Sequence, residues 1–261
     1  MPGYRGFMAI LSVDLAFRRW RDLGIVVMER RREPGAAVQC EILSNLGAED
    51  EPGPVLAEVL AGRLNHLCGI RGIRIVMLDG PQAWKSAENG LHHARLSEQQ
   101  LNTSAKTGLP GMVKPVTYRP FAEFCVDVYD ALCRRGWKRL ASSDQPKDRS
   151  EHVLVESYPY AAWKALGIRP LPAKKRATVC DLAEAFAALQ ATVPVTVNRP
   201  PNHDQLQAIV GGLAGLALEA RDPAGARIVG STAKREDGHW REGFIVVPDS
   251  NRPGPNVRWM N

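Results

Sequence analysis

The sequence predicts an α/β fold built on a mixed sheet, and three observations carry that prediction. Three β-rich runs near the start are joined by connections too short for a crossover, as in an antiparallel meander. The next apolar run, residues 73–79, is reached only through a helical stretch, and such a strand is usually parallel to a neighbour. The 261 residues contain no internal repeat, low-complexity tract or long linker, so residues 1–261 read as one domain.

The first run, residues 7–16, is bulky and apolar from Phe7 to Leu11 and is interrupted by Asp14 just before the basic segment Arg18-Arg19-Trp20-Arg21. Residues 23–28 form the second strand, ended by the Arg30-Arg31-Arg32 turn and Pro34-Gly35. Residues 37–43 alternate apolar and polar as a half-buried third strand does. Pro52-Gly53-Pro54 then opens a helix over residues 55–67, with Val55, Val59, Leu60, Leu64 and Leu67 on one side and a break at residues 69–72. Residues 73–79 are the next strand, ending in Asp79.

Residues 82–118 look irregular, and a loop of that length inside a domain is more often functional than idle. They hold the pair His92-His93 and a Lys106-Thr107-Gly108 string. That string has no Ser-x-x-Lys partner and reads as chance, and the two histidines read as plain loop residues. A helix starts at Pro120 and runs to Arg134, followed by a polar loop at residues 142–151 and a strand at residues 152–156 that ends in Glu156. A short helix at residues 160–166 stops at Gly167. After the basic residues 170–175, a helix over residues 179–189 turns Leu182, Ala183, Phe186 and Leu189 inward, and residues 194–201 act as a linker. Asn202-His203-Asp204 supplies capping side chains for the last major helix. Gly211, Gly212 and Gly215 lie inside it, each costing about 1 kcal/mol against Ala, which implies close packing on the sheet. Residues 240–248 contain a short terminal strand, and the tail 249–261 is expected to be loose.

Composition excludes several classes of protein. At 44% hydrophobic and 24% charged residues the chain is ordinary for a globular protein. No apolar run approaches the ~20 residues that span a bilayer. The first apolar segment is short and carries Asp14, which makes it a poor signal peptide. The five cysteines, Cys40, Cys68, Cys125, Cys133 and Cys180, are odd in number and scattered, which argues against a zinc site or disulfide framework and for a reducing, cytoplasmic setting. The net charge of +6 permits a polyanionic partner, nucleic acid above all. Oligomeric state is not legible.

The chemistry is concentrated in acids. Asp14, Asp79 and Glu156 each stand at the carboxyl end of an apolar strand, where ligands bind in α/β sheets, and Asp204 at the start of the last helix can face the same edge. Converging carboxylates repel and raise one another's pKa, and a divalent cation relieves that repulsion. Hard oxygen donors in this number suit Mg²⁺ or Mn²⁺, and such ions activate water in phosphodiester hydrolysis.

These residues also carry a resemblance. In order along nearly the whole chain stand Ser12-Val13-Asp14, Leu78-Asp79-Gly80-Pro81, and Val155-Glu156-Ser157-Tyr158-Pro159 with Ala161 and Ala165-Leu166-Gly167. Then come Lys174-Lys175, His203-Asp204 with Ala208, and Gly243-Phe244-Ile245-Val246-Val247-Pro248. The series resembles the family called domain of unknown function 429, predicted to be nucleases of the ribonuclease H-like fold. The resemblance implies a ribonuclease H-like mixed sheet, three antiparallel strands followed by parallel strands, flanked by helices. It also implies metal-binding acids at Asp14, Asp79, Glu156 and Asp204. The family's late motif is usually His-Asp-x-x-Asp-Ala, and here Gln207 stands where the second Asp would be, which weakens one cation site.

The expectation is therefore a nuclease or phosphodiesterase dependent on Mg²⁺ or Mn²⁺. Asp14, Asp79, Glu156 and Asp204 would hold metal, His203 would orient a phosphate or water, and Arg18, Lys174 and Lys175 would contact phosphates. The alternative is a catalytically weak or inactive relative that binds nucleic acid or a protein partner. An actin- or sugar-kinase-like phosphotransferase is disfavoured, because Leu15-Ala16-Phe17-Arg18 lacks the Gly and Thr of a phosphate-holding turn.

Overall fold

The computed structural model describes residues 7–33, 35–44, 46, 53–142 and 150–249. Strand β1 (Phe7–Asp14) pairs antiparallel along its length with β2 (Gly24–Arg31), which pairs antiparallel with β3 (Val38–Leu43). The expected meander is present. β2 continues through Arg30 and Arg31 because both still have ladder partners, Met8 and Phe7, and the Arg31 guanidinium lies over the Phe7 ring.

Helix α1 (Ala57–Arg71) passes straight through Gly69 and ends at Gly72, whose φ of 65° is the left-handed conformation that closes a helix. Leu60, Leu64 and Leu67 face inward as expected, but Val59 is 38% exposed, one helical step off the buried stripe. Pro52 lies outside the described residues. Strand β4 (Ile75–Asp79) follows, parallel to β1.

The stretch read as irregular is better ordered than its sequence suggests. It contains α2 (Leu96–Leu101) and the small antiparallel pair β5 (Lys106–Thr107) and β6 (Val113–Lys114). Helix α3 (Arg119–Arg134) and strand β7 (Lys138–Arg139) come next, then β8 (Val153–Ser157), parallel to β4. Most of the polar stretch 142–151 lies outside the described residues.

Helix α4 (Pro159–Ala165) and α5 (Val179–Thr192) occupy the expected positions, although Ala183 points to solvent and only Leu189 of α5 is fully buried. The linker after α5 contains an unforeseen strand, β9 (Val195–Val197), parallel to β3 at one sheet edge. Helix α6 (His203–Ala220) is capped by the Asn202 side chain on the Gln205 amide. Strands β10 (Ala226–Glu236) and β11 (His239–Pro248) form a long hairpin whose first arm was not foreseen. The expected loose tail, apart from Asp249, lies outside the described residues.

The strands join in the order β10-β11-β8-β4-β1-β2-β3-β9, with β7 beside β8. One face is covered by α1 and α3, whose Leu60, Leu64, Val128 and Leu132 pack on Leu11, Val13, Val76 and Leu78. The other face is covered by α6, flanked by α4 and α5. The glycines of α6 do what their cost implied. A Cβ on Gly212 would come within 2.3 Å of the Met28 sulfur and 2.7 Å of the Ser12 Cβ, so the helix lies directly on the sheet. No helix among the described residues is long and apolar enough to cross a membrane.

Candidate functional site

Strands β1, β4 and β8 run parallel, so their carboxyl ends share one edge. Asp14 and Asp79 are direct cross-strand partners there, and partners in one rung point to the same face. That face belongs to α6. It is the face of Ser12, whose hydroxyl donates to the Ala208 carbonyl at 2.6 Å, pinning α6 over the rung. The antiparallel partner of Asp14 is Gly24. A Cβ at Gly24 would stand 2.2 Å from the Asp204 carbonyl oxygen. Glycine at that position lets the first turn of α6 descend onto the strand ends and brings Asp204 beside the pair.

Glu156 is in a different place. Its rung partner is Leu78, and the rung of Asp79 is completed by Ser157. A displacement of one residue turns a strand side chain to the opposite face. Glu156 therefore points away from α6 into residues 82–107, where it is buried. There Arg95 donates to both of its oxygens, at 2.7 and 2.6 Å, and the Gln82 amide donates to one of them at 3.0 Å. Arg95 is itself only 1% exposed and also donates to Glu98 and Thr107. Both oxygens of Glu156 are thus occupied by protein donors.

As rung partners the Asp14 and Asp79 carboxyl groups act directly on each other's titration, and the pair favours holding one proton between them. Burial, then the charges of Asp79 and Asp204, push the Asp14 carboxyl well above the usual range, against the pull of Lys174. Burial also pushes Asp79 up to about 7, with the hydrogen bond from Asp14 opposing and the charge of Glu156 adding. Both residues are partly exposed at the end of their strands.

Asp204 is buried and receives the Lys174 ammonium on Oδ2. Lys174 also donates to Asp22 at 2.9 Å, so one lysine ties the loop after β1 to the start of α6. Burial raises the Asp22 carboxyl, but hydrogen bonds from Arg19 and Lys174 outweigh it and hold Asp22 below the usual range. His203 places Nε2 3.0 Å from the Pro172 carbonyl, which can only accept, so Nε2 carries a proton; Nδ1 stands 3.4 Å from Asp204 Oδ1. The Gln207 side-chain oxygen accepts from the Trp163 indole at 2.8 Å. Arg18 and Lys175 are exposed, Arg18 lying 5.4 Å over the Phe17 ring.

The sequence-predicted residues thus divide. Asp14, Asp79, Asp204, His203 and Lys174 come together on the α6 face, while Glu156 belongs to a separate buried ion pair on the other. Sequence reasoning missed Ser157, Asp22 and Gly24. Ser157 had a partial signal: it follows Glu156 at a strand end, so the two side chains take opposite faces, but which of them shares the face of Asp79 is set by the register of β8 on β4. His92 is exposed, and His93 packs its ring over Gly108. Among the described residues, no group of three or more His, Cys, Asp or Glu side chains is arranged to hold a metal ion. The donor chemistry of Asp14 and Asp79 does fit a hard cation, as two adjacent carboxylates whose shared proton a divalent ion can replace. Compared with protein-family models, curated proteins and solved structures, the chain matches none.

Proposed function

We propose that the edge carrying Asp14 and Asp79 is the active site of a phosphodiesterase that hydrolyses nucleic acid with the help of Mg²⁺ or Mn²⁺. One observation carries this reading: two carboxyl groups set side by side in a single rung, partly exposed, and both held above the ordinary carboxylate range by burial and by neighbouring acids. Nothing structural requires two acids to face one another there, and their mutual repulsion disfavours it. Mg²⁺ is commonly held by one or two carboxylates plus substrate phosphate and water, so this pair suffices for one ion. When bound, the ion would supply charge for the phosphate and lower the pKa of a water.

The surrounding residues have separate tasks in this reading. Lys174, already neutralising Asp204, presents an ammonium beside the pair to a phosphate oxygen. Arg18 and Lys175 add cations around it. His203 holds the loop of Pro172 against α6 and so sets the position of Lys174 two residues on. Glu156 supports the edge from the far face through Arg95 and raises the proton affinity of Asp79.

A second reading, a non-catalytic relative that binds nucleic acid or protein, is favoured by the same Lys174. Its ammonium occupies the acid that a second cation would use, and Gln207 is turned to Trp163. Incubating the purified protein with single- and double-stranded DNA and RNA, plus Mg²⁺ or Mn²⁺, separates the two. Cleavage abolished by Asp14→Asn supports hydrolysis. Salt-dependent binding without cleavage selects the second reading.

A further inference from the structure

We infer that the nucleic acid this site takes is single-stranded, and that an unstacked base is received on Tyr160 beside the acid pair. The inference rests on reading the carboxylate edge as a nucleic-acid site, and it adds the strandedness that the acids alone leave open.

Two shoulders rise at this edge. One is aromatic. Ser157 closes the rung of Asp79, and the chain leaving it carries Tyr158 and Tyr160, one and three residues on. Their rings lie 6.0 Å apart, and Lys164, one helical turn beyond, holds its ammonium 4.5 Å from the Tyr160 ring centroid. Tyr160 is nonetheless 46% exposed. A half-exposed ring in an α-helix contributes little to folding, and an ammonium over its face strengthens it as a platform for a base and its phosphate.

The other shoulder is basic. Arg18 and Arg21 lie on the loop that follows Asp14, and Lys175 and Arg176 on the loop that carries Lys174. Lys174 joins the two loops by holding Asp22 from one and Asp204 beside the other. These four side chains are exposed and make no ion pair among the described residues, unlike Arg19, Arg134 and Arg135, whose charges are matched by acids. Unmatched cations of this kind are a phosphate track.

A backbone track on one side, an open ring on the other and the acids between them form the pattern of single-strand recognition. In a duplex the bases are stacked on each other, and Tyr160 has nothing to receive. The four cations alone would bind both forms. Tyr160 is what distinguishes them.

Fluorescence anisotropy of labelled DNA and RNA oligomers of about 12 nucleotides, within the span of known single-strand grooves, tests this on the full chain. It is run with Ca²⁺ replacing Mg²⁺ and again in EDTA, so that nothing is cleaved. Single strands are expected to bind about 10-fold more tightly than the matching duplexes. Tyr160→Ala removes that preference and Tyr160→Phe keeps it, both melting like the wild type. Lys175→Ala lowers the salt slope by about 1 for both forms and leaves their ratio unchanged. Equal or tighter duplex binding, an unaltered preference in Tyr160→Ala, or no binding of any oligomer overturns the inference. The relative affinities of DNA and RNA identify the sugar. Binding of single strands without cleavage in Mg²⁺ or Mn²⁺ removes the hydrolase reading alone, while cleavage of duplex unaffected by Tyr160→Ala removes this inference alone.

Discussion

Two groups of acids lie at the same sheet edge, on opposite faces, and they are treated differently. On the face of α2, Glu156 and Glu98 are buried around Arg95, which donates to both, while backbone amides of Gln82 and Thr107 take up remaining lone pairs. On the face of α6, no cation among the described residues is paired with Asp14 or Asp79, which feel each other, the nearby acids and part of the field of Lys174. The first group is complete without a ligand. The second is left with a repulsion that a proton relieves at low pH and a cation can relieve at high pH. The difference teaches which acids to read as structure. A carboxylate whose oxygens are all satisfied by the chain holds the fold, and one that is not is available for chemistry.

The closed group depends most on Arg95. Arg95→Met strands two buried carboxylates, and breaking a buried pair from one side costs about 4 kcal/mol. Urea denaturation is expected to show a loss of that order. A loss below about 1 kcal/mol would mean that Glu156 and Glu98 are not a closed structural group. Next in size is Gly24→Ala, which drives a methyl into the backbone of Asp204. It is expected to cost about 3 kcal/mol by overpacking and, if the acid pair is the site, to reduce Mn²⁺ binding as Asp204 and Lys174 move off the rung. An alanine there with unchanged stability would show that α6 does not depend on that close approach.

How much of this was legible follows from the range of each interaction. The meander, the parallel strand after α1 and the close packing of α6 all come from local pattern, in alternation, spacing and glycine content, and all are present. Ends of elements were less legible. Gly69 looked like a stop, but the helix carries both Gly62 and Gly69 in its interior and closes only at Gly72, three residues after Gly69. β10 was missed because its residues alternate weakly at an exposed edge, where burial imposes little pattern. In the site, the acids were visible as strand-end residues, but the face of Glu156 was not. Face depends on register with β4, a long-range property, and one residue of offset separates a site residue from a buried ion pair. The role of Arg95 was invisible for the same reason, since its partner is 61 positions away.

The open pair has a pH signature of its own. A carboxyl group whose folded pKa exceeds its unfolded value binds its proton more tightly in the folded state. Its contribution is then complete below the unfolded pKa and lost as pH rises through the folded one. For Asp79 the window runs from 3.8 to about 7. The wild type is expected to lose stability across it, and Asp79→Asn to flatten the profile and gain about 2 kcal/mol at pH 8. Thermal melts across that range check the slope. Adding Mn²⁺ at pH 8 is expected to raise the wild-type Tm and leave Asp79→Asn unmoved, by the linkage of binding to folding. A profile equally steep in the variant would place the unrelieved charge elsewhere.

The smallest effect tests Gln207, on the first turns of α6 three residues after Asp204. Its side-chain oxygen accepts the indole hydrogen of Trp163, which is fully buried. Gln207→Ala leaves that donor unpaired and is expected to cost about 1 kcal/mol. Gln207→Glu keeps the reach and the acceptor, so its stability at pH 5 should stay within about 0.5 kcal/mol of the wild type. The new carboxylate also stands three positions from Asp204, on the same side of the helix. If Asp204 belongs to the open group, the added charge makes Gln207→Glu more sensitive to rising pH than the wild type and more strongly rescued by Mn²⁺. If Lys174 closes Asp204 off as Arg95 closes Glu156, the variant follows the wild-type profile and Mn²⁺ adds nothing. Position 207 thus decides on which side of the comparison Asp204 falls.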